Sequence, residues 1–404
     1  MSRSLPADPL IRQLVQQSRA AQMSRRALLA GATGGAAALA LAACTPGSSE
    51  GPSAATDVSD SEKIVRWANW ALYLDEDDDG NYPTLQRFIA ESGIEATYNV
   101  EIDDNNTYYG RIKDQLALGQ DVGADVVCLT DWMISRLIRF GYAQELDHGN
   151  IPNLANLNGA LRDPDFDPGR AYSVPWQGGF GGICWDVERF PNGFESVSDL
   201  WNEPQMKGKL TVLSEMRDTI GVIMLEQGVD ISGDFTEADF MKALDVFREQ
   251  IESGQIGTVK GNSYIEDLQN GDAWGGIVWS GDVMALNAEI GYDKFAFALP
   301  TGGATLWNDN FLVPIGATHK ANAEKLIDFY YQPDVAAEVA AWVNYITPVD
   351  GAREAMEEFA PELVDNQLIF PDDSTLANAK MFRTLTPAEE QSFGNAFQSV
   401  LLGA

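Results

Sequence analysis

A chain of 404 residues with 60 Asp and Glu, 27 Lys and Arg and only 2 His carries a formal net charge of -33. So negative a surface repels nucleic-acid phosphates and anionic headgroups, which excludes a nucleic-acid partner. His148 and His319 alone leave little for zinc or general-base chemistry, so no metal and no cofactor are expected.

The chain opens on an export signal. Arg25-Arg26 stands before an Ala/Gly/Leu-rich stretch that ends Leu41-Ala-Ala-Cys44, the pattern of a twin-arginine signal. The apolar run over 27–43 falls short of the roughly 20 residues that a bilayer span requires, and Gly31, Gly34 and Gly35 interrupt it. Its ending resembles a lipobox, in which the Cys is lipidated and becomes the mature N-terminus. Removing residues 1–43 takes away five Arg and one Asp, which leaves 361 residues at a formal charge of -37. That length predicts two lobes. Residues 44–62, the lipidated Cys44 and a Pro/Gly/Ser/Thr-rich run, predict a flexible tether.

Ordered structure is predicted from Ile64, where a strand runs to Trp70. A helix follows over 84–92, with Leu85, Phe88 and Ile89 at i, i+3, i+4. Then come a strand over 95–100, a helix over 108–118 and an apolar strand over 124–129. After a strand over 210–213, helices are predicted over 218–226 and 237–253, a strand over 274–279, and helices over 321–331 and 335–342. Such alternation predicts a mostly parallel α/β sheet with helices on both faces. Interlobe crossings are predicted at 163–175 and 298–303, so that each lobe is discontinuous. Cys128 and Cys184 lie in apolar strand-like runs and read as buried free thiols.

Asp75-Glu-Asp-Asp-Asp-Gly80 has calcium-loop spacing, but Gln86 stands where the bidentate Glu would be, so an acidic surface loop is expected. The strand ends hold the stronger signal. Trp279-Ser-Gly-Asp282 follows an apolar strand; Asn69-Trp70 with Tyr73 ends the first strand; Thr130-Asp131-Trp132 follows the third; Glu215 and Asp218 follow 210–213. Ligands sit outside the carboxyl ends of parallel strands. Aromatic faces attract ammonium groups, and desolvated carboxylates hold them by charge-assisted hydrogen bonds.

Asn69-Trp70, Asp165-Phe-Asp-Pro, Tyr172-Ser-Val-Pro175, Asp199-Leu-Trp-Asn, Met206-Lys-Gly-Lys-Leu, Trp279-Ser-Gly-Asp282, Pro333-Asp-Val-Ala and Tyr345-Ile-Thr-Pro348 occur in this order. Over roughly residues 63–400 the sequence resembles the spermidine/putrescine-binding proteins of bacterial polyamine ABC transporters. The resemblance implies a two-lobed periplasmic-binding-protein-like fold (type II), α/β, with a ligand cleft between the lobes. Residues 63–173 plus about 302–346 would form lobe 1, and 174–301 plus about 347–404 lobe 2. It also implies ligand contacts at Trp70, Tyr73, Thr130, Trp132, Glu215, Asp218, Trp279, Asp282, Asp309 and Tyr345. Two departures stand out: the loop after Trp70 is about six residues longer than usual, and Leu72 replaces an often polar residue.

The expected function is therefore an exported, lipid-anchored solute receptor, monomeric and not an enzyme. It would capture a polyamine at the outer face of the cytoplasmic membrane and deliver it to ABC permease subunits. A receptor for another small cationic solute and an exported hydrolase are the alternatives.

Overall fold

The computed structural model describes residues 51–403. The export signal over 1–43, Cys44 and the first residues of the expected tether lie outside them. The first half runs β1 (Ile64–Trp70), α1 (Pro83–Ser92), β2 (Glu95–Ile102), α2 (Asn105–Ala117), β3 (Val126–Thr130) and α3 (Asp131–Arg139). Local chemistry sets the boundaries. Pro83 opens α1 and left-handed Gly93 closes it, while Asp104 caps α2 by accepting from the Thr107 N–H.

The second half contains β4 (Ser173–Asp186), α4 (Val197–Asn202), β5 (Leu210–Leu213), α5 (Met216–Glu226), α6 (Glu237–Glu252), β6 (Ile256–Lys260), α7 (Tyr264–Asn270), β7 (Gly275–Trp279), α8 (Ser280–Ile290), β8 (Phe295–Ala298) and β9 (Ala304–Leu312). Then follow α9 (Lys320–Tyr330), α10 (Pro333–Val343), α11 (Ala352–Met356), α12 (Asp373–Ala377), β10 (Ala379–Met381) and α13 (Pro387–Leu401). The strand order is β2-β1-β3-β9-β4-β7-β5-β6, with β8 on β4 and β10 on β9. Two parallel groups, β2-β1-β3 and β7-β5-β6, are thus joined through the antiparallel strands β9 and β4. The early part of β4 pairs with β9 and its late part with β7 and β8. The segments 163–175 and 298–303, expected as crossings, lead directly into β4 and β9. Cys128 and Cys184 are buried and free.

The segment expected as a tether is docked where it is described. Ala55 N donates to Ile315 O at 2.9 Å and Val58 N to Thr318 O at 2.8 Å. The reason lies at the start of α9, whose N-cap residue His319 supplies no side-chain cap. Asp57 accepts from Ala321 N at 3.2 Å and Ser59 Oγ from Asn322 N at 3.2 Å, so the segment caps the helix from outside. Asp57→Ala is expected to lower stability by about 1 kcal/mol, the usual loss of an N-cap. Urea unfolding checks this, and an unchanged midpoint would remove Asp57 from that role.

The acidic run also differs from expectation at its first residue. Asp75 is buried and accepts from the Thr84 N–H at 2.9 Å and from the Thr84 hydroxyl. It holds the first turn of α1, while residues 76–80 are exposed.

Candidate functional site

The carboxyl ends of β1, β3, β5 and β7 converge, and each delivers a side chain to one cavity. Trp70 ends β1, Thr130 ends β3, Trp279 ends β7, and Glu215 is the N-cap of α5 just after β5. Asp218 and Asp282 occupy equivalent places: each is the third residue of the helix that follows its strand, α5 or α8. The positive end of a helix favours an anion there. Asp309 comes from β9, Tyr345 from the turn after α10, and Tyr73 from the loop after β1. Leu72 takes a left-handed conformation at φ 53°, a strained turn at the cavity edge between Trp70 and Tyr73.

Nine of the ten residues expected to contact ligand thus share one cavity, and Trp132 does not. Its ring lies against two guanidinium groups, Arg217 at 4.1 Å and Arg136 at 4.9 Å, outside that lining. Trp132, the second residue of α3, lines the adjoining chamber, which it shares with Thr130. Ala71, Asn262 and Trp307 complete the lining. Trp307 was legible in principle: it lies two residues before Asp309 on β9, hence on the same face. Asn262, in the turn before α7, had no comparable signal.

The polar arrangement is one-sided. Asp282 accepts from Tyr264 Oη at 2.7 Å, Tyr345 Oη at 2.7 Å and Asn262 Nδ2 at 2.8 Å. Burial nevertheless pushes its carboxyl up to about 6. Asp218 accepts from Trp279 Nε1 at 3.0 Å and Thr305 Oγ1 at 2.7 Å, and burial raises it too. Asp309 Oδ2 accepts from Tyr73 Oη at 3.0 Å, but Oδ1 is buried without a partner, and burial lifts the group to about 7. Glu215 Oε2 accepts from Asn105 Nδ2 at 3.2 Å, while Oε1 is buried and unpartnered. Burial raises Glu215 to about 8, with Arg217 pulling back and Asp218 adding to the rise.

No Lys or Arg is part of this lining. Buried acceptors without donors are costly, at roughly 1–3 kcal/mol each and more when charged. The four carboxylates thus present an acceptor-rich lining that suits donors carrying positive charge. Between them stands a continuous aromatic wall. Ring centroids lie 5.9 Å apart for Trp70 and Trp279, 6.4 Å for Trp279 and Trp307, 5.1 Å for Trp307 and Tyr345, and 5.4 Å for Tyr345 and Tyr73. A hydrogen bond from Trp70 Nε1 to Cys128 O at 3.0 Å fixes the first ring.

Residues 84–369 match the family model of bacterial extracellular solute-binding proteins. The chain belongs to that family. The spermidine/putrescine-binding periplasmic protein of Escherichia coli (strain K12) is 26% identical over 325 residues, 80% of this chain and 87% of that protein. Among solved structures, the spermidine/putrescine ABC transporter substrate-binding protein of Streptococcus pneumoniae superposes with a TM-score of 0.66 at 20% identity, covering 84% of this chain and 99% of that one. A Treponema pallidum lipoprotein gives a TM-score of 0.67 at 17% identity, covering 83% and 99%. The fold is that of type II periplasmic binding proteins. In this solute-binding protein the cavity sits where such α/β folds receive ligands, beyond the strand ends. Among the described residues, no cluster of His, Cys, Asp and Glu is arranged to hold a metal. No described helix is long and apolar enough to cross a membrane.

Proposed function

We propose that this solute-binding protein captures a linear polyamine of the putrescine/spermidine class and delivers it to an ABC-type permease. One observation carries the reading. Four buried carboxylates, two of them with an unpartnered oxygen, face an aromatic-walled cavity whose lining contains no basic residue. Carboxylates spaced along a slot match ammonium groups spaced along a chain, and indole faces match both the methylenes and the charge. The Escherichia coli relative named for spermidine and putrescine supports the same ligand class. Glu215, Asp218, Asp282 and Asp309 bind the ammonium groups; Trp70, Tyr73, Trp279, Trp307 and Tyr345 form the wall, with Thr130 beside Asp309.

Residues 63–173 with about 302–346, and 174–301 with about 347–404, act as two lobes that close on the ligand. Uncompensated carboxylates oppose closure and a polycation removes the opposition. A lipid on Cys44 keeps the monomeric receptor at the outer face of the cytoplasmic membrane, beside its permease. Calorimetric titration with putrescine, spermidine, spermine and agmatine tests the ligand class. Saturable heat with at least one is expected, and none with any of them ends the polyamine reading.

A further inference from the structure

A second chamber adjoins the cavity, and Thr130, Glu215, Asp218 and Trp307 line both. Its remaining wall is mostly apolar, with Phe166, Leu306, Met381 and Phe382, and three further charges face it: Asp131, Arg217 and Arg383. Two of the three are committed to protein partners. Asp131 accepts from Asn310 Nδ2 at 2.5 Å, and Arg383 pairs with Glu389 at 2.6 Å.

Arg217 differs. It is 8% exposed, and its Nε is buried with no hydrogen-bond partner. Its ion pair among the described residues is with Glu390 at 3.7 Å, beyond hydrogen-bond length. Glu390 itself is already held by Arg136 at 2.8 Å and Arg139 at 2.9 Å. Trp132, 4.1 Å from the guanidinium carbon, supports the Arg217 group on one face. Glu215 attracts it through space without a hydrogen bond, and burial lowers its proton affinity to about 10. A desolvated guanidinium supported by an aromatic ring and short of acceptors is preorganised for a planar carboxylate, which it can bind through two parallel N–H···O bonds.

We propose that the second chamber receives a carboxylate of the same ligand whose ammonium groups occupy the first cavity, with Arg217 as its receptor. The inference rests on the polyamine reading and narrows it to linear amines that carry a carboxyalkyl arm. Phe166, Met381 and Phe382 cover the arm's methylenes. A doubly charged phosphate would face Glu215, Asp218 and Asp131 in the same lining, which favours the single charge of a carboxylate. An aminoalkyl arm would instead bring an ammonium group against Arg217, a like-charge contact.

The test compares two ligands of similar length: spermidine, and putrescine bearing an N-carboxyethyl arm in place of the aminopropyl arm. Calorimetry on the wild-type protein should give at least tenfold tighter binding of the carboxyethyl compound. In Arg217→Gln the ratio of the two affinities should fall to threefold or less, and Arg217→Lys should retain part of the preference. Equal or tighter binding of spermidine to the wild type overturns the proposal, as does a preference that survives in Arg217→Gln. If Arg217→Gln does not fold, the wild-type ratio alone decides. Should none of putrescine, spermidine, spermine and agmatine give heat, the polyamine reading fails; should any of them bind while the ratio is near one, only the carboxylate assignment fails.

Discussion

Asp282→Ala is expected to weaken polyamine binding by roughly 2–5 kcal/mol, the usual loss when one partner of a buried, hydrogen-bonded charge pair is truncated. That is at least about 30-fold in Kd. The size follows from how the carboxylate is held. Three donors, Tyr264, Tyr345 and Asn262, fix both oxygens of Asp282 at the first turn of α8. No other acid of the lining shares those donors, so none can replace it by a side-chain rotation. Calorimetry reads the effect, and thermal unfolding on the same preparation shows that the variant is folded. Unchanged affinity would remove Asp282 from the site.

The second large effect is a pH dependence in which stability and binding move in opposite directions. Burial holds Glu215, Asp309 and Asp282 at about 8, 7 and 6, against roughly 4 in an unfolded chain. Between pH 4 and 8 the folded ligand-free protein therefore binds more protons than the unfolded chain, so its stability falls as pH rises through that window. Each tenfold gain in proton affinity on folding is worth about 1.4 kcal/mol, so the three groups together contribute on the order of several kcal/mol. That contribution is present below pH 4 and lost by pH 8. An ammonium ligand needs the ionised carboxylates, so its binding expels protons and its affinity rises over the same range. Titrations at pH 6.5 in two buffers of different ionisation enthalpy should show the release of roughly one to two protons per ligand, from Glu215 and Asp309. Equal heats in both buffers would contradict these proton affinities, as would a melting temperature that rises from pH 5 to 8.

The sequence made the parallel strands and their polar ends legible because each apolar run stops at a residue of different chemistry. Trp70, Thr130, Trp279 and Glu215 could be placed by that change alone. Asp218 and Asp282 followed from the helix that each strand feeds. The antiparallel strands were harder. β4 runs through Gly178, Gly179, Gly181 and Gly182 with almost every residue buried, so it shows no alternation of polar and apolar positions, and β9 carries buried Asn and Asp within its span. The face shared by Trp307 and Asp309 is readable only once β9 is recognised as a strand. Trp132 lies in the lining of the adjoining chamber, a distinction that closeness in sequence to Thr130 cannot make. The docking of residues 55–62 depends on an uncapped helix some 260 positions away, which composition cannot reveal.

The aromatic wall gives the protein a built-in optical reporter. Trp70, Trp279 and Trp307 are three of the ten tryptophans of the chain, and their neighbouring rings lie within about 6.5 Å of one another. At that spacing the indole transitions of adjacent rings couple, and a cation seated against them perturbs the set together. Occupancy can then be followed by near-ultraviolet dichroism and intrinsic emission, with no label attached to the site being measured.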